Sequence, residues 1–135
     1  MYNENMLENY VDTRLKELGI YSEYYYRLEL KSLKKLINID ETLNCVLTGI
    51  LDGCRRMIAV TDYRILIISA SALASGEVIT IDRKAVKSWK FTKKFLLSTI
   101  EIETNERNLF FKMTQAAREK LFNDAMQMEI KQFDE

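Results

Sequence analysis

The first third of the chain carries apolar residues at helical spacing. Residues 3–19 predict one amphipathic helix, because their apolar side chains recur at steps of three and four, and Gly19 is a typical residue just beyond a last turn. The apolar positions are Met6, Tyr10 (or Leu7, Val11), Leu15 and Leu18. A second helix is predicted over residues 23–37, with Ser22 as its N-cap and Glu23 in its first turn. Its apolar stripe consists of Tyr26, Leu30, Leu33 and Ile37.

After residue 40 the apolar period changes from 3.6 to 2, which indicates β-strands. Asp52-Gly53 is a strong signal for a two-residue hairpin turn, because a type I′ turn needs positive φ at both positions. This turn predicts a register in which apolar side chains face each other on one side of the hairpin. The predicted pairs are Leu47 with Ile58 and Cys45 with Val60.

The remaining pattern predicts more short strands and a final helix. A reversal at residues 61–64, with Asp62 capping the turn and Arg64 bonding loop carbonyls, leads into an apolar strand at residues 65–69. That strand is apolar on both faces, so it should be covered on both sides, with an N-terminal helix as one cover. Further strands are predicted at 78–82, 87–95, 99–104 and 109–113, and a helix after Thr114. The pattern is that of an α+β chain with about seven antiparallel strands.

Composition restricts the function mainly by exclusion. The 135 residues, 47% of them hydrophobic, are one domain in size, and 20 basic residues balance 20 acidic ones. No stretch resembles a signal peptide or a membrane-spanning helix, so we expect a cytoplasmic protein. The chain has no histidine, which excludes Ser-His-Asp and Cys-His catalysis and His-ligated metals. It also has no glycine-rich nucleotide loop, and we therefore predict no catalytic residue, no metal and no cofactor.

The two cysteines, Cys45 and Cys54, are predicted to be free and buried. The hairpin register places them about six strand positions apart, or roughly 20 Å at strand rise. This separation is beyond the reach of a disulfide. Chemistry by a thiol or by carboxylates is the least favoured hypothesis, and a low-pKa thiol would be needed to support it.

Three phrases, in this order, resemble the bacterial pleckstrin-homology-like (PH-like) domains, in particular the YokE-like group. AVTDYRILII is similar to the family's strand–turn–strand signature, with Thr61 and Arg64 at matching positions. GEVITIDRKAVKSWKF is similar to its fourth strand, short turn and fifth strand, and KKFLLSTIEI to its next hairpin. The likeness spans roughly residues 38–130, and it departs from the family at Phe95 and Ser98, where the hairpin usually has glycine.

The resemblance implies a PH-like bent antiparallel seven-stranded sheet or barrel with a C-terminal capping helix. Residues 38–135 would form this domain, and residues 1–37 a helical N-terminal extension of two helices. Relatives of this architecture are mostly non-catalytic modules that bind lipids, peptides or proteins, and a GRAM-like domain on the same scaffold fits equally well. Eukaryotic relatives bind phosphoinositides through basic residues at the first hairpin. Arg55 and Arg56 supply only part of that pattern, so this ligand is not expected.

A basic stretch near the second half of the domain is the first candidate site. Residues 83–100 carry six basic residues and no acidic one. As a membrane contact, lysines would approach anionic head groups while an apolar hairpin tip enters the interface. The candidate residues are Lys90, Lys93, Lys94, Phe95, Leu96 and Leu97. The alternative is ordinary sheet structure, in which a 95–98 loop sets Lys90 opposite Glu103, and Leu96 and Leu97 pack on the N-terminal helices.

Four tyrosines at the start of the second predicted helix are the other candidate site. They are Tyr21, Tyr24, Tyr25 and Tyr26. Four aromatic residues within six positions cannot all face one core from one helix, so some must be exposed or meet another surface. Tyrosine is common at interfaces, since it combines apolar area with a hydroxyl group. The alternative is that these rings pack on the sheet within the chain.

The sequence therefore predicts a non-enzymatic binding or assembly module. We expect its partner to be a protein or a second copy of the chain, and the alternative is peripheral attachment to an anionic membrane. Nucleic acid is not expected, because the net charge is zero and the aromatic residues of the basic stretch, Trp89 and Phe91, alternate with Lys90 and face the core.

Overall fold

A computed structural model describes residues 4–70, 77–95 and 97–131 of the chain. The helices are α1 (Glu4–Glu17), α2 (Tyr21–Tyr24), α3 (Leu28–Leu36) and, at the C-terminal end, α4 (Glu119–Gln127). The strands are β1 (Leu43–Leu51), β2 (Cys54–Thr61), β3 (Arg64–Ser69), β4 (Val78–Asp82), β5 (Val86–Thr92), β6 (Leu97–Thr104) and β7 (Asn108–Gln115). Short 3₁₀ turns at Arg83–Ala85 and Ala116–Arg118 precede β5 and α4. The predicted α+β class, with seven strands and a terminal helix, is confirmed.

The prediction of one continuous second helix capped by Ser22 is wrong. Ser22 lies inside α2, whose N-cap is Ile20, and the backbone is extended at Arg27 before α3 begins. The break has a packing reason. On one continuous helix, at ~100° per residue, Tyr24 and Leu33 would point in opposite directions. The interruption allows both side chains to be fully buried in the same cluster.

The strands form one antiparallel sheet in the order β4-β3-β2-β1-β7-β6-β5. The first hairpin has the predicted register, with Leu47 paired to Ile58 and Cys45 to Val60. Its turn residues have positive φ, 52° at Asp52 and 79° at Gly53. The Asp-Gly signal therefore determined both the turn and the side chains that face the core.

Two hydrophobic clusters lie on the two faces of the first half of the sheet (β1–β4). The inner cluster joins side chains of β1–β4 to those of β5–β7 and α4, so the sheet bends back on itself. The outer cluster joins the other face of β1–β3 to α1, α2 and α3. Along β3, Ile65 and Ile67 belong to the inner cluster, and Leu66 and Ile68 to the outer one. The prediction that an N-terminal helix covers this strand is confirmed.

The two halves of the sheet meet at a seam between β1 and β7. Ile50 is the ladder partner of Lys112 there. Two residues away on β1, the backbone of Thr48 is hydrogen-bonded to the side chain of Gln115 and not to the backbone of β7. The Thr48 amide donates to Gln115 Oε1 at 3.0 Å, and Gln115 Nε2 donates to Thr48 Oγ1 at 2.6 Å. Gly49 lies between these positions, where an added Cβ would come within 2.8 Å of Thr114 Cγ2.

The predicted register of the β5–β6 hairpin is wrong by two residues. Lys90 pairs with Glu101 and not with Glu103, because the last paired positions before the tip are Thr92 and Thr99. The tip is thus longer than the predicted four-residue loop. The Lys94 amide donates to Ser98 Oγ at 3.2 Å and helps to close it. A glutamate still faces Lys90 across the strands, so the expected charge compensation on this face remains, with a different partner.

Candidate binding surfaces

Tyr24 fixes the position of the tyrosine-rich segment. Its side chain is fully buried in the outer cluster, and the guanidinium carbon of Arg118 lies 5.7 Å from its ring centroid. Arg118 also forms an ion pair with Glu23, so α2 is tied to the turn that precedes α4. Burial raises the pKa of Tyr24 to about 12, although Arg118 acts to lower it. Of the four candidate tyrosines, this one has a role in the core.

The residues that follow Tyr24 point outward. Tyr25 is 57% exposed, Tyr26 is 62% exposed, and Leu28, at the start of α3, is 52% exposed. The ring centroids of Tyr25 and the half-buried Tyr21 lie 5.6 Å apart in a stacked arrangement. Those of Tyr25 and Tyr26 lie 5.4 Å apart, nearly edge to face. Each ring is thus supported by its neighbour while most of the patch remains accessible.

Two cations border these rings. Lys16 Nζ lies 4.8 Å from the Tyr21 centroid, and the Arg27 guanidinium carbon lies 5.4 Å from the Tyr26 centroid. Because cation–π contacts hold these two side chains over the rings, the apolar centre of the patch has a positively charged rim. We call Tyr21, Tyr25, Tyr26 and Leu28, with Lys16 and Arg27, the tyrosine surface.

The β5–β6 hairpin tip is the second candidate site, and it also exposes apolar side chains. Phe95 is 96% exposed and Leu97 is 43% exposed. Lys93 and Lys94 beside them are exposed as well. Leu96, another candidate of the basic stretch, lies outside the residues described. The prediction that Leu97 packs on the N-terminal helices is wrong, because it points to the outer face of β6, where alternate residues are solvent-exposed.

Lys90 does not belong to this tip. It lies in a groove of about 460 Å³ on the outer face of β5–β7, which is also lined by Glu101, Glu103, Asn108 and Phe110. Its cross-strand partner is Glu101. The structure therefore divides the predicted basic site: Lys93 and Lys94 lie at the tip, and Lys90 lies among carboxylates.

Arg83, a member of the same basic stretch, is buried and has a structural role. Only 4% of its surface is exposed, and it donates to the carbonyl oxygens of Thr61, Met126 and Met128 at 3.3, 2.9 and 2.7 Å. Burial lowers its pKa, and the charge of Asp62 opposes this shift. Arg83 thus ties the C-terminal end of α4 to the first half of the sheet. The other five basic residues of the stretch are exposed.

The TDYR turn is held by Thr61 and by a buried ion pair. Thr61 Oγ1 accepts from the Tyr63 and Arg64 amides, so this residue caps the turn. Asp62, the predicted cap, accepts from the Thr42 amide at 3.0 Å. Arg64 donates to both Glu41 oxygens at 2.7 and 2.8 Å and to the Leu36 carbonyl at 2.7 Å. The structural role predicted for Arg64 is confirmed.

The protonation of this pair follows from its surroundings. Burial would raise the pKa of Glu41, but hydrogen bonds from Arg64, Thr61 and the Asn38 amide together hold it below its ordinary value. Arg64 shows the matching change, since its hydrogen bonds to Glu41 outweigh burial and raise its pKa. Both groups are charged at neutral pH, and the pair joins the end of α3 to the β2–β3 turn.

The cysteines differ in environment. Both are free, as predicted, but Cys54 is exposed and not buried. Burial raises the pKa of Cys45 to about 12, which makes its thiol unreactive at neutral pH. Within the described ranges, no three His, Cys, Asp or Glu side chains are grouped as metal ligands would be.

A bent, seven-stranded antiparallel sheet with a C-terminal helix is the architecture of a PH-like domain. The comparisons agree with this class, because the chain belongs to the bacterial PH domain family, whose model matches residues 37–127. No curated protein matches the chain.

Among solved structures, the chain is similar to the crystal structure of the C-terminal domain of an unknown protein from Leishmania infantum. The two are 16% identical over 77% of this chain and 94% of that chain, with a TM-score of 0.47. No helix in residues 4–70, 77–95 or 97–131 is long and apolar enough to cross a membrane.

Proposed function

We propose that this chain is a non-catalytic, cytoplasmic binding module that engages a protein partner through the tyrosine surface. Its family supports a binding module in general. The polar groups that the fold gathers support the non-catalytic part, since they hold structure together: Arg64 joins α3 to a turn, Arg83 caps α4, and Arg118 anchors α2. Within the family, the three phrases quoted above support the YokE-like group, with a PH-like domain from residue 38 and a helical extension before it.

One observation carries the choice of surface. Tyr25, Tyr26 and Leu28 lie within four residues of one another and are each more than half exposed. Single exposed apolar side chains are ordinary, whereas a contiguous group with a polar rim is typical of an interaction site. Tyrosine is also among the residues that contribute most to binding energy at interfaces.

The anchoring of Tyr24 makes this surface suitable for binding. Its burial and the Glu23–Arg118 pair fix α2, so Tyr25 and Tyr26 are presented from a rigid base. A preorganised surface loses less side-chain freedom on association and therefore binds more tightly for the same contacts. The cationic rim of Lys16 and Arg27 favours a partner patch that is apolar at its centre and acidic at its edge.

The test places a photo-crosslinking amino acid at position 25 in cells that express the protein. Ile39 is the matched control, because it is 55% exposed on a different part of the chain. We expect a specific adduct from position 25 and none from position 39. The adduct partner, or a second copy of the chain if that is what is captured, is then purified and titrated against the module.

In this titration, Tyr25→Ser/Tyr26→Ser should weaken binding about 30-fold, which corresponds to a modest aromatic hot spot of about 2 kcal/mol. Ile39→Ser should leave it unchanged. Equal adducts at both positions would contradict the proposal. So would a purified partner that binds the double tyrosine variant as tightly as it binds the wild type.

A further inference from the structure

We infer that the β5–β6 hairpin tip is a second, independent binding site, and that it docks on an anionic membrane surface. The site consists of the apolar side chains of Phe95, Leu97 and Met113 and the flanking Lys93 and Lys94. The apolar residues are 96%, 43% and 54% exposed. Met113 is not among the candidate residues of the basic stretch. The alternation along residues 109–113 places it on the same face as Leu109 and Phe111, which are buried, and its exposure comes from a local irregularity in β7.

This irregularity is a β-bulge. Between the pairs Ser98–Thr114 and Ile100–Phe111, β6 advances by two residues and β7 by three. Met113 takes the extra position with φ of 56°, which is rare for a side chain of its size. A β-bulge changes the direction in which a side chain points. A residue with an unfavourable φ is kept in place by the packing and hydrogen bonds around it. Here the bulge leaves Met113 exposed, two residues from Gln115, the ladder partner of Leu97.

Packing within the protein does not explain why the exposed side chains at the tip are apolar. Phe95 has almost no contact with the rest of the protein. Leu97 belongs to neither hydrophobic cluster among the described residues, although its neighbour Ser98 is buried. An exposed phenylalanine at the end of a hairpin is instead suited to entering the boundary between head groups and acyl chains.

The charges around the tip favour an anionic partner. Residues 83–100 contain no acidic residue, and neither do residues 107–118 in the adjacent strand β7 and the turn after it. Lys93 and Lys94 are exposed at the tip, and Lys112 is exposed next to Met113. Lys93 and Lys94 lie beside Phe95 at the hairpin tip, where they could reach phosphate groups at the same time as Phe95 enters the interface.

The number and kind of apolar side chains at the site favour a membrane over a macromolecular partner. A stable protein interface buries about 800 Å² on each side, of which three exposed apolar side chains supply only a part. Single-stranded nucleic acid stacks its bases on aromatic rings, whereas two of the three apolar side chains here are aliphatic. A lipid surface needs neither a complementary shape nor a stacking partner.

The test is co-sedimentation with vesicles of phosphatidylcholine alone and of equal parts phosphatidylcholine and phosphatidylglycerol. We expect binding to the anionic vesicles, weaker at higher salt, and little to the neutral ones. Lys93→Gln/Lys94→Gln should weaken it about 30-fold, or about fivefold for each lysine. Phe95→Ser should weaken it about tenfold.

Matched controls separate the tip from the rest of the molecule. Lys87→Gln/Lys90→Gln removes the same charge from exposed positions on β5, and Phe110→Ser removes a 44% exposed phenylalanine from the outer face of β7. Both should bind vesicles within twofold of the wild type. Tyr25→Ser/Tyr26→Ser should also bind normally, so this site and the tyrosine surface can fail separately.

A site-specific dye tests insertion directly. On a Cys54→Ser background, Phe95→Cys leaves one accessible thiol, because Cys45 is buried. An environment-sensitive fluorophore at position 95 should shift to the blue on anionic vesicles, and the same label at position 39 should not. Absence of vesicle binding by the wild type would overturn the inference. An equal loss in the β5 lysine control, or an unchanged dye spectrum at position 95, would overturn it too.

Discussion

Replacing Arg64 with alanine removes the cation that pairs with a buried carboxylate. The Glu41 side chain is fully buried and that of Arg64 is 17% exposed, and the Nε–Oε2 distance is 2.7 Å. The variant therefore leaves Glu41 charged, buried and without its bidentate donor, and it leaves the Leu36 carbonyl without the guanidinium hydrogen bond. This perturbation tests whether the pair between α3 and the β2–β3 turn holds the N-terminal helices in place.

The expected loss of unfolding free energy is about 3 kcal/mol. Breaking a buried ion pair by removing one partner costs about 3–5 kcal/mol, since the remaining charge is uncompensated. The lower end applies here because Arg64 is partly exposed, so water can enter the space that the side chain leaves. Arg64→Lys keeps the charge but not the planar fork, and should cost about half as much.

Urea denaturation at pH 7, followed by circular dichroism, measures these values. Glu41→Gln/Arg64→Ala is the informative double variant, because a neutral amide is easier to bury than a carboxylate. We expect it to be more stable than Arg64→Ala alone by at least about 1 kcal/mol. A loss below about 1 kcal/mol in Arg64→Ala, or a double variant less stable than the single one, would refute the reasoning.

The same pair makes stability depend on pH in a defined direction. Because the folded pKa of Glu41 lies below its ordinary value, its contribution is complete above about pH 4.3, the ordinary value for glutamate. It is lost as the pH falls through the lower folded value, where the carboxylate takes up a proton. The difference in melting temperature between the wild type and Glu41→Gln should therefore be constant near neutrality and narrow below pH 4.3. A difference that widens on acidification would contradict this assignment.

Three further predictions concern packing and reactivity. Deleting residues 1–36 should expose the outer face of the first half of the sheet, so the shortened chain should aggregate or bind a hydrophobic dye. A shortened chain that stays monomeric and unfolds cooperatively would contradict the role of the outer cluster. Gly49→Ala should cost about 1–3 kcal/mol in urea denaturation because its Cβ meets Thr114 Cγ2, and Thr114→Ser should restore part of the loss. A thiol reagent should modify Cys54 in the native protein and Cys45 only after unfolding, and rapid reaction of both would mean that Cys45 is accessible.

The parts of the fold that could be predicted are those with a local chemical signal. Asp52 and Gly53 tolerate positive φ, so the turn and the Leu47–Ile58 pair follow from two adjacent residues. The β5–β6 hairpin has no such dipeptide at its tip, and its predicted register was off by two residues. The register of a hairpin is weakly specified when its sequence does not determine the turn.

The parts that could not be predicted depend on contacts between distant residues. The break after α2 serves to bury Tyr24 together with Leu33, and no local residue marks it. In the sequence, Arg83 has the pattern of a solvent-exposed cation in a basic stretch. In the structure it donates to the carbonyl oxygens of Met126 and Met128, which are 43 and 45 residues further along the chain. Geometry alone predicted that some of the tyrosines must be exposed, but not which of them.

The Gln115 side chain at the seam also bears on aggregation. Where β1 and β7 diverge, their backbone groups would be open to pairing with strands of other chains. The Gln115 amide occupies the Thr48 donor and hydroxyl, so this interior edge is closed by a side chain of the protein itself. Because a side-chain amide does not continue a backbone ladder, the Thr48 position offers no open backbone donor to a strand of another chain. The sheet already has two edge strands, β4 and β5. Where its two halves diverge between β1 and β7, the Thr48 amide stays paired and is not open to another chain as it would be at an exposed edge.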